Sequence, residues 1–375
     1  MGHSGGERLG TDRPGTDRPR TDRGGGRGAF ALDAAAQRGK AAAKAAWWTA
    51  AGGLAKFMTR PTEGKAAPRF SSDAPPVSQA RLRRAYLSAF EKDAGDVAAG
   101  LYPPMEDAPS HPAASILKAW DFLADAREVD GRRRRGDGVE VRDDPKSQGY
   151  PAYYRQNFHY QTGGWFTADS ARRYDAQVEA LFSGAAGAMR RRALSLLAKH
   201  WRGRDQRALA AIDVACGSGA FLRDLAETFP RAALAGVDLS PAYLIEARTR
   251  SGRGMVQANA ERLPVADGSL DAVTCVYLFH ELPPRVRPIV AAELVRVLKP
   301  GGVLAFADSV QPSDEPHLAR MLEAFPAYFH EPFYGSYAAE DLEALFAAVG
   351  LRVIGRDKAF LTKALLLEKA QQCSP

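Results

Sequence analysis

Cysteine is scarce in this chain. Among 375 residues there are three, Cys216, Cys275 and Cys373, all far apart. They form no CxxC pair, no metal-ligand spacing and no disulfide framework, which fits a reducing compartment. Long apolar runs are also missing. A membrane-spanning helix needs roughly 20 predominantly apolar residues. The nearest candidate, AAAKAAWWTAAGGLAKFM, is interrupted by two lysines and a pair of glycines, so no transmembrane segment is expected. The formal net charge is +7, yet no basic strand interleaved with aromatics and no zinc-finger spacing accompanies it. Nucleic acid is therefore not an expected partner. The run Arg132–Arg135 reads as a solvated charge cluster.

What is present is unevenly arranged. TDRPG, TDRPR and TDRGG repeat from Thr11 to Gly25; proline, glycine and alternating charge cannot build a core. An Ala/Lys/Arg-rich stretch follows to about Arg60. Residues 1–77 are expected to be disordered or a targeting segment, and the acidic residues among the repeats count against a transit peptide. The compartment is cytoplasmic or plastid on this reading. Residues 78–148 read as a helical extension, with helical spacing over Ala80–Ala98 and His111–Val129. From residue 149 to 375 one catalytic domain is expected. It begins with YPAYYRQNFHYQTGGWFTADSARRYDAQVEALF, in which Thr167 precedes a helix containing Tyr174, and continues with a helix over Met189–His200.

Beyond Leu209 strands and helices alternate. LAAIDVA, AALAGVDLS, GMVQANA, SLDAVTCVYLF and VLAFADSV read as strands; Ala220–Thr228, Pro241–Thr249 and Pro288–Leu298 read as the intervening helices, with KPGG as a turn. Alternating βα units predict an α/β fold with a parallel sheet and helices on both faces. Near the end, Ala338–Val349 reads as one helix. LRVIGRD and AFLTKALLLEK then follow too closely for a crossover helix, so they are expected to be antiparallel.

The stretch DVACGSGAF places Gly217 and Gly219 at a strand-to-helix turn. Such a turn lets the backbone approach a ligand and leaves amides free. Asp238 ends the second strand about 20 residues on, where a carboxylate can accept from both hydroxyls of a ribose. Asp238 is equally placed to cap the helix opening at Pro241. A dinucleotide and S-adenosylmethionine are the two ligands this pairing suits. The dinucleotide fingerprint wants a third small residue, and Leu222 stands there.

From Leu209 to Lys369 the chain resembles the class I S-adenosylmethionine-dependent methyltransferases. DVACGSG, GVDLS, QANAERLPVADGSLDAV, VYLFHELP and RVLKPGG match that family's segments in order. The segment from Tyr150 is similar to a subgroup from photosynthetic microbes and algae. The resemblance implies a Rossmann-like, seven-stranded, mostly parallel sheet with a reversed last strand. It also implies S-adenosyl-L-methionine as cofactor, a small-molecule methyl acceptor and no metal. Asp213 and the backbone of Ala215, Gly217 and Gly219 would cradle the methionine part. Asp238 would hold the ribose, Leu239 would pack on the adenine, and Asn259 and Ala260 would flank its amino group. Tyr174 would cover the methionine end, with Tyr277 beside the cofactor. Two positions depart from the common pattern: Asn259 stands for an aspartate and Ala215 for a glycine.

Methyl transfer is an in-line displacement in which the protein positions the reactants, excludes water and, for some acceptors, takes a proton. His280 and Glu281 fall just past the fourth strand, at the rim where ligands gather. His280 is a candidate base, its ordinary pKa being about 6.5, or a residue lining the pocket. FPAYFHEPFYGSY, with His330 and Glu331, is expected as a lid or acceptor wall, and Tyr153, Tyr154, His159, Tyr160 and Trp165 as a closure from the other side. The acceptor atom stays open: hydroxyl, carboxylate, ring carbon or thioether sulfur. An NAD-dependent oxidoreductase and a non-catalytic cofactor-binding protein are the competing readings.

Overall fold

A computed structural model describes residues 27–58, 70–105, 129–132, 135 and 138–371. The TDR repeats, most of the helix expected at His111–Val129, and Cys373 lie outside the described residues. Two helices open the described chain, α1 (Arg27–Met58) and α2 (Gln79–Ala98). Alanine-rich sequence favours α1 intrinsically, and it packs on α2. Part of the stretch expected to be disordered or targeting is thus a docked helix. Its buried Gln37 donates to Asp93 of α2 at 2.8 Å. Lys44 makes a 2.9 Å ion pair with Glu179 of α3 (Ala168–Leu181), both side chains being 6% exposed. Among the described residues no helix is long and apolar enough to cross a membrane.

A helix α4 (Ala186–His200) leads into the sheet. The strands are β1 (Ala210–Val214), β2 (Ala233–Asp238), β3 (Gly254–Gln257), β4 (Leu270–Val276), β5 (Leu298–Ser309), β6 (Leu351–Ala359) and β7 (Thr362–Lys369). They form one seven-stranded sheet in the order β3-β2-β1-β4-β5-β7-β6. The first five are parallel, and β7 runs antiparallel to both β5 and β6. A parallel neighbour needs a crossover, whereas the tight β6–β7 turn permits only reversal. Crossovers are supplied by α5 (Ala220–Thr228), α6 (Pro241–Ser251) and α7 (Arg287–Val297). Beyond β5 come α8 (Ala319–Tyr328), α9 (Tyr334–Ala338) and α10 (Leu342–Ala348).

Alternation along β5 divides the core. Val303, Ala305 and Ala307 face Leu194 and Leu197 of α4 and Phe221 and Leu225 of α5. Leu304 and Phe306 face Val290 and Leu294 of α7 and Phe346 of α10. Two expectations are corrected. The KPGG stretch is built into β5, not a separate turn. Its irregularity is absorbed by a shift in pairing between Leu270 and Ala272, and a side chain on Gly302 would meet the Lys299 carbonyl at 2.9 Å. The helix expected at Ala338–Val349 is shorter, Leu342–Ala348, because Asp341 caps its start by accepting from Ala344 N at 3.0 Å.

The N-terminal helices join the core through buried charge. Arg191 and Arg192 of α4 are each 1% exposed, as is Asp93. Arg191 clamps Asp93 in a bidentate pair at 2.6 and 2.8 Å, and Arg192 reaches Asp96 at 2.8 Å. Removing one member strands a buried charge, which costs about 3–5 kcal/mol. The Asp93→Ala variant should lose that much stability in urea unfolding. A loss below about 1 kcal/mol would show that the clamp contributes little.

Candidate active site

Behind β1 the chain turns with three left-handed residues, Ala215 (φ 56), Gly217 (φ 54) and Gly219 (φ 77). Gly219 has a second reason to be glycine: a Cβ there would sit 2.6 Å from Ala247 Cα. Gly217 has open space on that side, so its bare face is turned to whatever binds. Ala215 bears backbone strain on the order of 1 kcal/mol. The missing third small residue is explained on the partner strand. A Cβ on Gly236 would lie 2.9 Å from Leu222 Cδ2, so Gly236 supplies the room for close helix–strand contact.

Asp238 ties this turn to β2. Its two oxygens accept from Gly217 N and Ser240 N, each at 2.8 Å. The capping role open to Asp238 is taken by Ser240, whose hydroxyl accepts from Tyr243 N at 3.2 Å. Each Asp238 oxygen keeps a further lone pair for hydroxyl donors. Burial raises its pKa, with the Ser240 and Gly217 amides pulling the other way.

Outside the carboxyl ends of β1, β2 and β4 lies a cavity. Tyr174, Ala215, Gly217, Asp238, Leu239, Asn259, Ala260 and Tyr277 all line it, together with Tyr153, Tyr154 and Trp165. Asp213 and Gly219 do not. Gly219 packs on α6, and Asp213 lies beneath the turn, where Thr274 Oγ1 donates to its Oδ1 at 2.6 Å. Its Oδ2 is buried without a partner. Burial pushes the Asp213 carboxyl up to about 7, with the Thr274 bond opposing and Asp238 adding to the rise. The Trp165 indole N–H is likewise buried and unpaired. A ligand offering an acceptor to the indole, which lines the cavity, would satisfy it. At the opposite end Asn259 makes a local turn, its Oδ1 accepting from Glu261 N at 3.0 Å, and Tyr153 donates to Glu261 at 2.6 Å. Tyr243 and Leu282 also line the wall; as ordinary helix and loop residues they carried no sequence signal.

A cap closes over the turn. Asp175 of α3 accepts from Ser218 Oγ at 2.8 Å and pairs with Arg250 of α6. The aromatic rings of Trp165, Tyr174 and Tyr243 meet edge-on at 5.3–5.6 Å above the cavity.

A second cavity adjoins the first. Tyr174, Tyr277 and Glu281 belong to both walls. The remainder is largely apolar, with Val178, Leu181, Phe182, Met189, Met321, Leu322, Phe325 and Leu361, plus His159, His280, Ser309 and Tyr334. His280 Nδ1 is 2.6 Å from Asp308 Oδ1. Asp308 is fixed in turn by the amides of Phe279 (2.9 Å) and Ser309 (2.7 Å). Sequence reasoning passed over Asp308; the signal was an acid at the end of an otherwise apolar strand. Burial works against a charge on His280, but Asp308, then Glu281 and Glu331, outweigh it and raise the pKa to about 9. Glu281 is raised by burial to about 7, with His280 countering and Asp308 and Asp238 adding.

His330 is the predicted catalytic residue that the fold does not bring here. Its ring packs over Gly138, where a Cβ would lie 2.4 Å away, and its Nε2 is 2.9 Å from Gln156 Oε1. Neighbouring Glu331 is buried, 3.0 Å from His159 Nδ1. Burial drives the Glu331 carboxyl up and His159 down to about 3. The expected lid is thus half right: Phe325 and Tyr334 reach the second cavity, and the histidine between them packs elsewhere.

Residues 212–306 match a family model described as a methyltransferase domain. A demethylmenaquinone methyltransferase of Thermus thermophilus is 32% identical over 212 residues, covering 50% of this chain and 91% of that one. A demethylmenaquinone methyltransferase of Deinococcus radiodurans is 33% identical over 151 residues, covering 39% of this chain and 59% of that one. The chain therefore spans under two thirds of the Deinococcus relative. Among solved structures, a SAM-dependent methyltransferase from Aquifex aeolicus superimposes with a TM-score of 0.35 and 17% identity, covering 46% of this chain and 87% of that one. The strand order defines the fold independently of that superposition.

The His280–Asp308 pair has a pH signature. The folded imidazole is held above its unfolded value of about 6.5. Its contribution to stability is full below that pH and is lost as pH rises through about 9. In an NMR titration the His280 ring should ionise near pH 9 and move down by at least about one unit in Asp308→Asn. An unchanged midpoint would refute the pairing.

Proposed function

This chain belongs to the S-adenosylmethionine-dependent methyltransferases, and we propose that it transfers a methyl group from that donor to a small-molecule acceptor. The supporting observation is the pair of cavities that meet at Tyr174, Tyr277 and Glu281 on the rim of the sheet. In this reading the catalytic unit begins near residue 149 and includes α3 as its cap.

Within the first cavity Asp238 holds the ribose hydroxyls, and Leu239, Asn259 and Ala260 border the adenine. Asp213, held by Thr274 beneath the turn, braces the backbone of Ala215 and Gly217 that borders the methionine part. When bound, the donor supplies an electrophilic sulfonium methyl. The chain's own contribution is positioning, exclusion of water by the Trp165–Tyr174–Tyr243 cap, and acceptance of the acceptor's proton at the rim. An NAD-dependent reading is disfavoured by the reversed β7 and by the relatives. A non-catalytic role is disfavoured by the second cavity.

Isothermal titration with S-adenosylhomocysteine tests the assignment. Wild type should bind it and not NAD. Asp238→Asn, which keeps the shape but exchanges one acceptor for a donor, should weaken binding by roughly tenfold or more, in line with the ~1.5–3 kcal/mol of charged hydrogen bonds. Wild-type affinity in this variant would remove the ribose assignment.

A further inference from the structure

We propose that the second cavity takes a neutral, apolar acceptor bearing one acidic hydroxyl, a phenol or an enol, and seats that hydroxyl between Glu281 and His280. The inference rests on the methyltransferase reading and names its acceptor class.

Three observations carry it. First, the wall has no lysine or arginine. Eight of its residues are aliphatic, Met or Phe, and three more are tyrosines. Several of these, including Val178, Leu181, Phe182, Met321 and Phe325, are only half-buried although they face the protein's interior. Apolar surface of this kind is stabilised when a hydrophobic ligand covers it. Second, the cation on the wall, His280, is already balanced by Asp308 at 2.6 Å. A phosphorylated or multiply anionic acceptor would find no further countercharge and would pay for its lost hydration. Third, His280 turns Nδ1 to Asp308, which leaves Nε2 for the cavity. That Nε2 stands 4.0 Å from Glu281 Oε1, too far for a hydrogen bond between them. An oxygen at about 2.8 Å from each fits the gap.

The proton balance follows from this arrangement. The acceptor's O–H bond breaks, its proton passes to the Glu281 carboxylate, and the electron pair stays on oxygen. The resulting oxyanion accepts from His280 Nε2–H, whose charge Asp308 sustains. Glu281 also borders the first cavity, so the nucleophile forms where the two cavities meet. His280 then acts as an oxyanion partner and not as the base.

The test uses the full chain saturated with S-adenosylhomocysteine and three probes: 2-naphthol, 2-naphthyl phosphate and naphthalene. Calorimetry should show 2-naphthol binding at least about tenfold more tightly than either of the others. Val178→Arg, which touches only the second cavity, should weaken naphthol by a similar factor and leave S-adenosylhomocysteine affinity unchanged. Bound naphthol should ionise at a lower pH than free naphthol by absorbance, and His280→Gln, which removes the cation beside the oxyanion, should reduce that shift. Equal affinity for the phosphate or for naphthalene, no naphthol binding, or an unmoved ionisation would each overturn the proposal. Loss of S-adenosylhomocysteine binding in the wild type would instead sink the reading beneath it. Retained S-adenosylhomocysteine binding with naphthol excluded sinks the acceptor class alone.

Discussion

The site depends on one carboxylate, Asp238, gripped by two backbone amides. Gly217 N comes from the turn after β1 and Ser240 N from the turn after β2, each 2.8 Å from a different oxygen. The bond fixes the distance between the two loops. It also aims the free lone pairs into the cavity. A charged hydrogen bond of this kind is among the stronger ones a protein makes. The rest follows geometrically: the glycine turn cannot drift, Ser240 is freed to cap α6, and Asp175 of the cap finds Ser218 in a constant place.

Charge burial runs through the molecule in two styles. Between α2 and α4 it is structural, with Arg191 and Arg192 fully matched to Asp93, Asp96 and Asp224. At the rim it is unresolved. Asp213 keeps one oxygen unpaired, and burial raises the Glu281 and Glu331 carboxyls above their ordinary range. Buried groups poised near neutrality in this way are common where ligands supply the missing partner.

The fold was largely legible because its signals are local. Alternating apolar runs marked each strand, and Asp238 at its distance from Gly217 marked the binding crevice. Eight of the ten residues assigned to the cofactor line one cavity; Asp213 lies one layer below it and Gly219 packs on the neighbouring helix. What was not legible depends on long-range packing. Asp308 looks like any strand-end acid until the fold sets it 2.6 Å from His280. His330 carries a suggestive chemistry in sequence, but the chain bends its ring onto Gly138. The late start of α10, at Leu342, hinges on the Asp341 cap. The close packing that Leu222 seemed to forbid is provided by Gly236, a residue on another strand.

Tyr174 stands in both walls, and its helix is moored to the glycine turn through the next residue, Asp175. One helix therefore shapes the wall of both chambers, and a change in its seating at Ser218 would be felt in the two together.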